Sequence, residues 1–182
     1  MKKKRAARVL LSTSAWKTML LDARGRQEIE ACGALLGSMD EEGNWHVEEA
    51  LPLRNIYASP VYFEFDPADL LAIDLEQPGR MVGVYHSHPV GPAVASSTDR
   101  QNMQRVNGEQ QIPWVWLILS GPFSGSSADE STNDDERHDD GNITAHGLRA
   151  YHYYQDIGLQ QVAIQRVEDE HPGSAPRHDE DQ

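Results

Sequence analysis

Trp114-Val115-Trp116-Leu117-Ile118-Leu119 is six apolar residues in a row, with no polar alternation. A strand of that composition has no face to offer water, so it must lie inside a layered structure and be covered on both sides. A second run, Met81 to Tyr85, is nearly as apolar and leads into His86-Ser87-His88-Pro89. Helical and strand patterns share the rest of the chain without a strict βαβ rhythm. The expected class is therefore α/β, a mixed sheet with helices on both faces.

In chain order, Ala7 to Ser12 reads as a short first strand. Ser14 can cap a helix on which Trp16, Met19, Leu20 and Ala23 recur at helical spacing, with Gly25 near its end. Glu30 to Gly37 reads as a buried strand. Trp45 to Leu53 is its hairpin partner across the acidic turn Met39 to Asn44. Asn55 to Pro60 is a loop. Asp66-Pro67 opens a helix, aspartate as cap and proline in the first position, and Pro78-Gly79 ends it. Met81 to His88 is a strand on which Val82, Val84, His86 and His88 share one parity, so both imidazoles leave one face. Ser96 or Ser97 opens a helix running through Met103 and Val106. Leu148 to Tyr154 and Val162 to Val167 read as closing strands.

At 182 residues the chain is expected to hold one domain, residues 7–167. A hydrophobic share of 38% is low for a packed chain. Two acidic stretches account for it: 124–142, read as a disordered loop insertion, and 168–182, read as a disordered tail. Residues 1–6, with Lys2-Lys3-Lys4-Arg5, read as a solvated basic tail. The net charge of -13 argues against a nucleic-acid partner. No apolar run approaches the roughly 18 residues of a membrane span, and the apolar stretch after the basic start is too short for a signal-peptide core. Cys32 alone allows no internal disulfide, so cytoplasmic residence is the default.

His86 and His88, at i and i+2 on a strand, can chelate one divalent ion. Asp99, on the first turn of the next helix, could supply a third ligand. Zinc accepts that donor set and leaves a fourth position for water, although ligand type alone leaves other first-row metals open. Ser96-Ser97-Thr98-Asp99 also reads as a capping box, which is compatible with a ligand role. The remaining histidines, including His46 and His152, lack the spacing and read as surface or loop residues. Hydrolysis at such a centre needs a carboxylate beside the ligands as proton acceptor and donor. Glu30 is the candidate, with Glu28, Glu48, Glu49 and Glu64 competing, and an exposed strand start explains Glu30 equally well.

Taken together, Glu30, then His86-Ser87-His88-Pro89, then seven residues, then Ser96-Ser97-Thr98-Asp99 resembles the motif of the JAMM (MPN-plus, JAB) zinc metalloproteases. Glu30-Ala31-Cys32-Gly33-Ala34-Leu35-Leu36-Gly37 resembles a further block of that family. The stretch Asn55 to Pro67 is similar to its small prokaryotic branch. The resemblance covers Val9 to Val167 and favours Glu30 over its competitors. It implies the MPN (JAB) fold, cytidine-deaminase-like, with a curved mixed sheet. It implies zinc on His86, His88 and Asp99, Glu30 as general base and later acid, and Ser96 as donor to the oxyanion. It also implies a substrate: a peptide or isopeptide bond at the extended C-terminal tail of a ubiquitin-like or sulfur-carrier protein, laid along a sheet edge beside the metal. A homodimer is a further expectation. The alternatives are a non-catalytic scaffold module of the same fold and a peptidase of another role, such as phage tail assembly.

Overall fold

The computed structural model of the chain describes residues 6–123 and 147–169. The basic start, the acidic stretch 124–142 and all but the first two residues of the tail lie outside them. The elements are β1 (Arg8–Ser12), α1 (Thr13–Gly25), β2 (Cys32–Met39), β3 (Trp45–Leu53), α2 (Pro67–Glu76), β4 (Met81–His88), α3 (Ser97–Met103) continued by a π-helical turn (Gln104–Glu109), β5 (Val115–Ser120), β6 (Leu148–Tyr154) and β7 (Gly158–Val167).

The strands pair in the order β1-β3-β2-β4-β5-β6-β7, and β7 pairs back to β1, so the curved sheet closes into a barrel. Three pairs are parallel (β1 with β3, β1 with β7, β4 with β5) and four are antiparallel, the mixed sheet expected. The apolar run divides as a doubly covered strand must. Val115, Leu117 and Leu119 join a core built from all seven strands, while Trp116 and Ile118 join a second cluster on the other face. α1 fills the barrel through Ala15, Met19 and Ala23. Outside, α3 packs Met103 against Trp116 and Ile118, and α2 packs Ile73 against Ala34 and Leu36. Helices thus cover both faces.

Three local expectations are corrected. The cap of α1 is Ser12, whose Oγ accepts the N–H of Ala15 at 3.1 Å, whereas Ser14 lies inside the helix. Val82 does not share a face with Val84. Leu35 pairs with Gly83 and Leu36 with Met81, so Val82 is the extra residue of a β-bulge and turns into the barrel. His86 and His88 lie beyond the bulge and keep their common face. Finally, β4 has β2 on one side and β5 on the other, so a substrate strand has no edge of β4 to join.

A partly buried ion pair ties the inside of the barrel to the strands that carry the site. Tyr85 Oη donates to Asp22 at 2.7 Å, and Asp22 receives two bonds from Arg26. Arg26 in turn donates to the carbonyls of Leu53 (2.7 Å) and Cys32 (3.0 Å). At the far mouth of the barrel, a cleft of about 830 Å³ is lined by Trp45, His152, Tyr154 and Ile157 among others. His152 is therefore no loop residue. It lies on β6, packs at a tilt against Trp45 with centroids 5.0 Å apart and bonds the Trp114 carbonyl at 2.9 Å through Nδ1.

Candidate metal centre

Strand alternation sends the imidazoles of His86 and His88 out from one face of β4, with their Nε2 atoms 3.1 Å apart. α3 starts opposite them. Ser96 is its cap: Oγ accepts the Asp99 N–H at 3.1 Å, and the Asp99 carboxylate accepts the Ser96 N–H at 2.7 Å. That reciprocal box aims Asp99 back at the strand. Its Oδ1 stands 3.2 Å from His86 Nε2 and its Oδ2 3.3 Å from His88 Nε2. One donor atom from each of the three lies within 4.8 Å of the others. His86 and Asp99 are buried and His88 is partly open, so the cluster has one accessible side.

Glu30 comes to the same place through the sheet register. Cys32 pairs with His86. The ladder continues as Ala31 N–H donates to Ser87 Oγ (2.9 Å) and Ser87 N–H to the Ala31 carbonyl (2.8 Å). One residue further back, Glu30 reaches the level of His88. It is 5% exposed, so the exposed-strand-start explanation is overturned. Its Oε2 is buried without a hydrogen-bond partner among the described residues.

The electrostatics follow from this crowding. Burial pushes the Glu30 carboxyl up to about 8, against the pull of His88, and the Asp99 charge adds to the rise. Burial would also raise Asp99, but hydrogen bonds with both imidazoles outweigh it and hold that carboxyl well below the usual range. Burial lowers His86, with Asp99 opposing. For His88 burial acts downward, yet the bonds to Asp99 and to the Pro92 carbonyl prevail and raise it.

Two imidazoles and a carboxylate converging in a mostly buried site, with an unpartnered carboxyl alongside, fit a divalent cation. A nitrogen, nitrogen, oxygen set with one open side is what zinc accepts when it keeps a fourth position. The His88 Nδ1 bond to Pro92 O, 2.8 Å, is the orienting bond expected at a ligand's second nitrogen.

All five expected site residues thus meet at one end of the barrel. Asn55 and Phe63 were not anticipated there. Asn55 is 3% exposed and donates to the carbonyls of Glu30 (3.1 Å) and Tyr62 (2.9 Å), and Phe63 stacks on His86. Their signal in the sequence was the Asn55 to Pro67 stretch, which composition alone marks only as a loop.

The model describing prokaryotic homologs of the JAB domain matches residues 12–134, and the chain belongs to that family. Among its relatives is a desampylase of Haloferax volcanii, 34% identical over 140 residues that cover 72% of this chain and 94% of that one. A probable TtuB-protein conjugate cleaving protease of Thermus thermophilus is 41% identical over 61 residues, 31% of this chain and 41% of that protein. The solution structure of a Desulfitobacterium hafniense protein superposes with a TM-score of 0.61 at 26% identity, covering 88% of this chain and 93% of that one.

Proposed function

We propose that this chain is a zinc-dependent peptidase that hydrolyses a peptide or isopeptide bond at the C-terminal tail of a ubiquitin-like or sulfur-carrier protein. The observation that carries the reading is the buried Glu30 carboxyl, whose Oε2 has no hydrogen-bond partner among the described residues, beside three converging ligand atoms. The names of the two curated relatives support the substrate class.

His86, His88 and Asp99 would hold the zinc. Bound there, it supplies a Lewis acid and brings the pKa of a bound water to about 7. A nearby cation also favours the ionised form of Glu30, the form that accepts a proton. Glu30 takes a proton from the attacking water and returns it to the leaving nitrogen as the carbon–nitrogen bond breaks, so the proton balance closes within one side chain. Ser96 Oγ accepts the Asp99 N–H and its hydroxyl also bonds the Asp99 carboxylate, so that hydrogen turns from Asp99 to the carbonyl oxygen as charge develops there. Cap and oxyanion donor are compatible because they use opposite ends of the same hydroxyl.

With both sides of β4 occupied, the substrate tail lies against the loops at 55–65 and 89–95. Among the described residues no helix is long and apolar enough to cross a membrane. The lone, buried Cys32 thiol suits a reducing compartment, and cytoplasmic residence is part of the proposal.

The test is incubation with several ubiquitin-like or sulfur-carrier proteins, each fused to a C-terminal extension. Cleavage after the tail that stops with a chelator and returns with zinc is the expected result. Intact fusions across all carriers, with zinc bound, would reject the substrate class.

A further inference from the structure

The two ligand imidazoles are held in different ways. His88 has a hydrogen bond at its second nitrogen, to the Pro92 carbonyl. His86 Nδ1 is buried and has no partner among the described residues. A ligating imidazole is normally oriented by a bond at that atom. For His86 only the ring faces remain. One of them is covered by Phe63, which lies nearly flat on it, with centroids 4.6 Å apart and planes 25° from parallel.

Phe63 is itself well fixed. It is 8% exposed, and Phe65 packs edge-on against it at 5.3 Å. Asn55 grips the backbone on either side, donating to the Tyr62 carbonyl at 2.9 Å and accepting the Glu64 N–H at 3.3 Å. The Asn55 amide also donates to the carbonyl of Glu30. One buried amide therefore links the ring beneath a ligand to the backbone of the proton carrier.

We propose that Phe63 is a positioning residue: its stack holds the His86 ring in the ligating orientation, in place of the missing hydrogen bond, and Asn55 locks that ring to Glu30. The inference rests on the metal reading of His86, His88 and Asp99.

The experiment is a metal titration of the full chain, with zinc by competition against a chelator and with cobalt by its visible spectrum, which reports ligand geometry. Wild type, Phe63→Leu and Phe63→Tyr are compared. The leucine keeps apolar bulk and loses the flat ring, whereas the tyrosine keeps the ring. Expected are about tenfold weaker zinc binding and an altered cobalt spectrum for the leucine, with both restored by the tyrosine. If the leucine variant does not fold, Phe63→Met takes its place. Wild-type affinity and spectrum without the ring would overturn the role of Phe63, as would a tyrosine variant impaired as much as the leucine. A wild type that binds neither metal overturns the metal reading and this inference with it.

Discussion

The role proposed for Glu30 joins a buried position to a need to ionise, and the two can be measured apart. With zinc present, Glu30→Gln should leave the metal bound and lower turnover by at least a hundredfold, the usual loss when a general base is removed. Loss of metal in that variant would reassign the residue as a ligand. Without metal the carboxyl is raised from 4.5 to about 8. Its folded pKa then lies above its unfolded one, so between those values the folded state holds the extra proton and stability falls as pH rises. In chelator, Glu30→Gln should therefore match wild type near pH 4 and exceed it at pH 8, by on the order of a few kcal/mol. Denaturant unfolding at the two pH values measures this, and an equal gap at both would remove Glu30 from the account. Fixed spacing made His86, His88, Ser96 and Asp99 legible in the sequence, because strand parity and a helix cap are local rules. Asn55 and Phe63 were not, because their partners lie on other segments. An asparagine in a loop looks the same whether it faces water or Glu30.

At the scale of the element, α3 is short and its cap, Ser96, is also the proposed oxyanion donor. Ser96→Ala removes both the cap and the hydroxyl donor. About 1 kcal/mol of stability should go with the cap, and turnover should fall by about a hundredfold with the donor. Ser96→Thr keeps an oxygen in the cap, so thermal unfolding should separate the two variants by most of that amount. If the alanine variant unfolds like wild type, the box contributes nothing. The extents of β3 and β4 followed from alternation and turn residues. The bulge at Val82 did not, because parity is counted along one strand while a bulge belongs to a pair. The same limit hid the packing of His152, whose ring meets Trp45 from β3. For α1, Ser14 stands nearest the apolar stripe, but the backbone turns helical one residue after Ser12.

For the whole molecule, the proposed centre takes its ligands from β4 and α3, with Glu30 beside them just ahead of β2, so a bound ion would clamp two elements that are separate in sequence. Binding to the folded state alone stabilises by about 4 kcal/mol at a thousandfold excess over Kd. A chelator should accordingly lower the melting temperature of wild type, and His88→Ala should melt at that lower temperature with or without chelator. A chelator effect that survives in His88→Ala would place the stabilising ion elsewhere. The layered class and the doubly covered strand could be read from six apolar residues, but closure of the sheet could not. Closure depends on β1 meeting β7, from Arg8 against Ala163 to Ser12 against Val167. No local pattern encodes a contact of that span. It has a consequence in time as well as in space. Within the domain β1 precedes every other element and its partner on that side follows them all, so during synthesis the barrel stays open until nearly the whole domain has left the ribosome. A loop of that length is costly to close before its contacts form. The final step of folding should therefore be the docking of the two outermost strands, and a nascent chain stalled before Gly158 should carry α1 exposed on one flank and be open to chaperones until it is released.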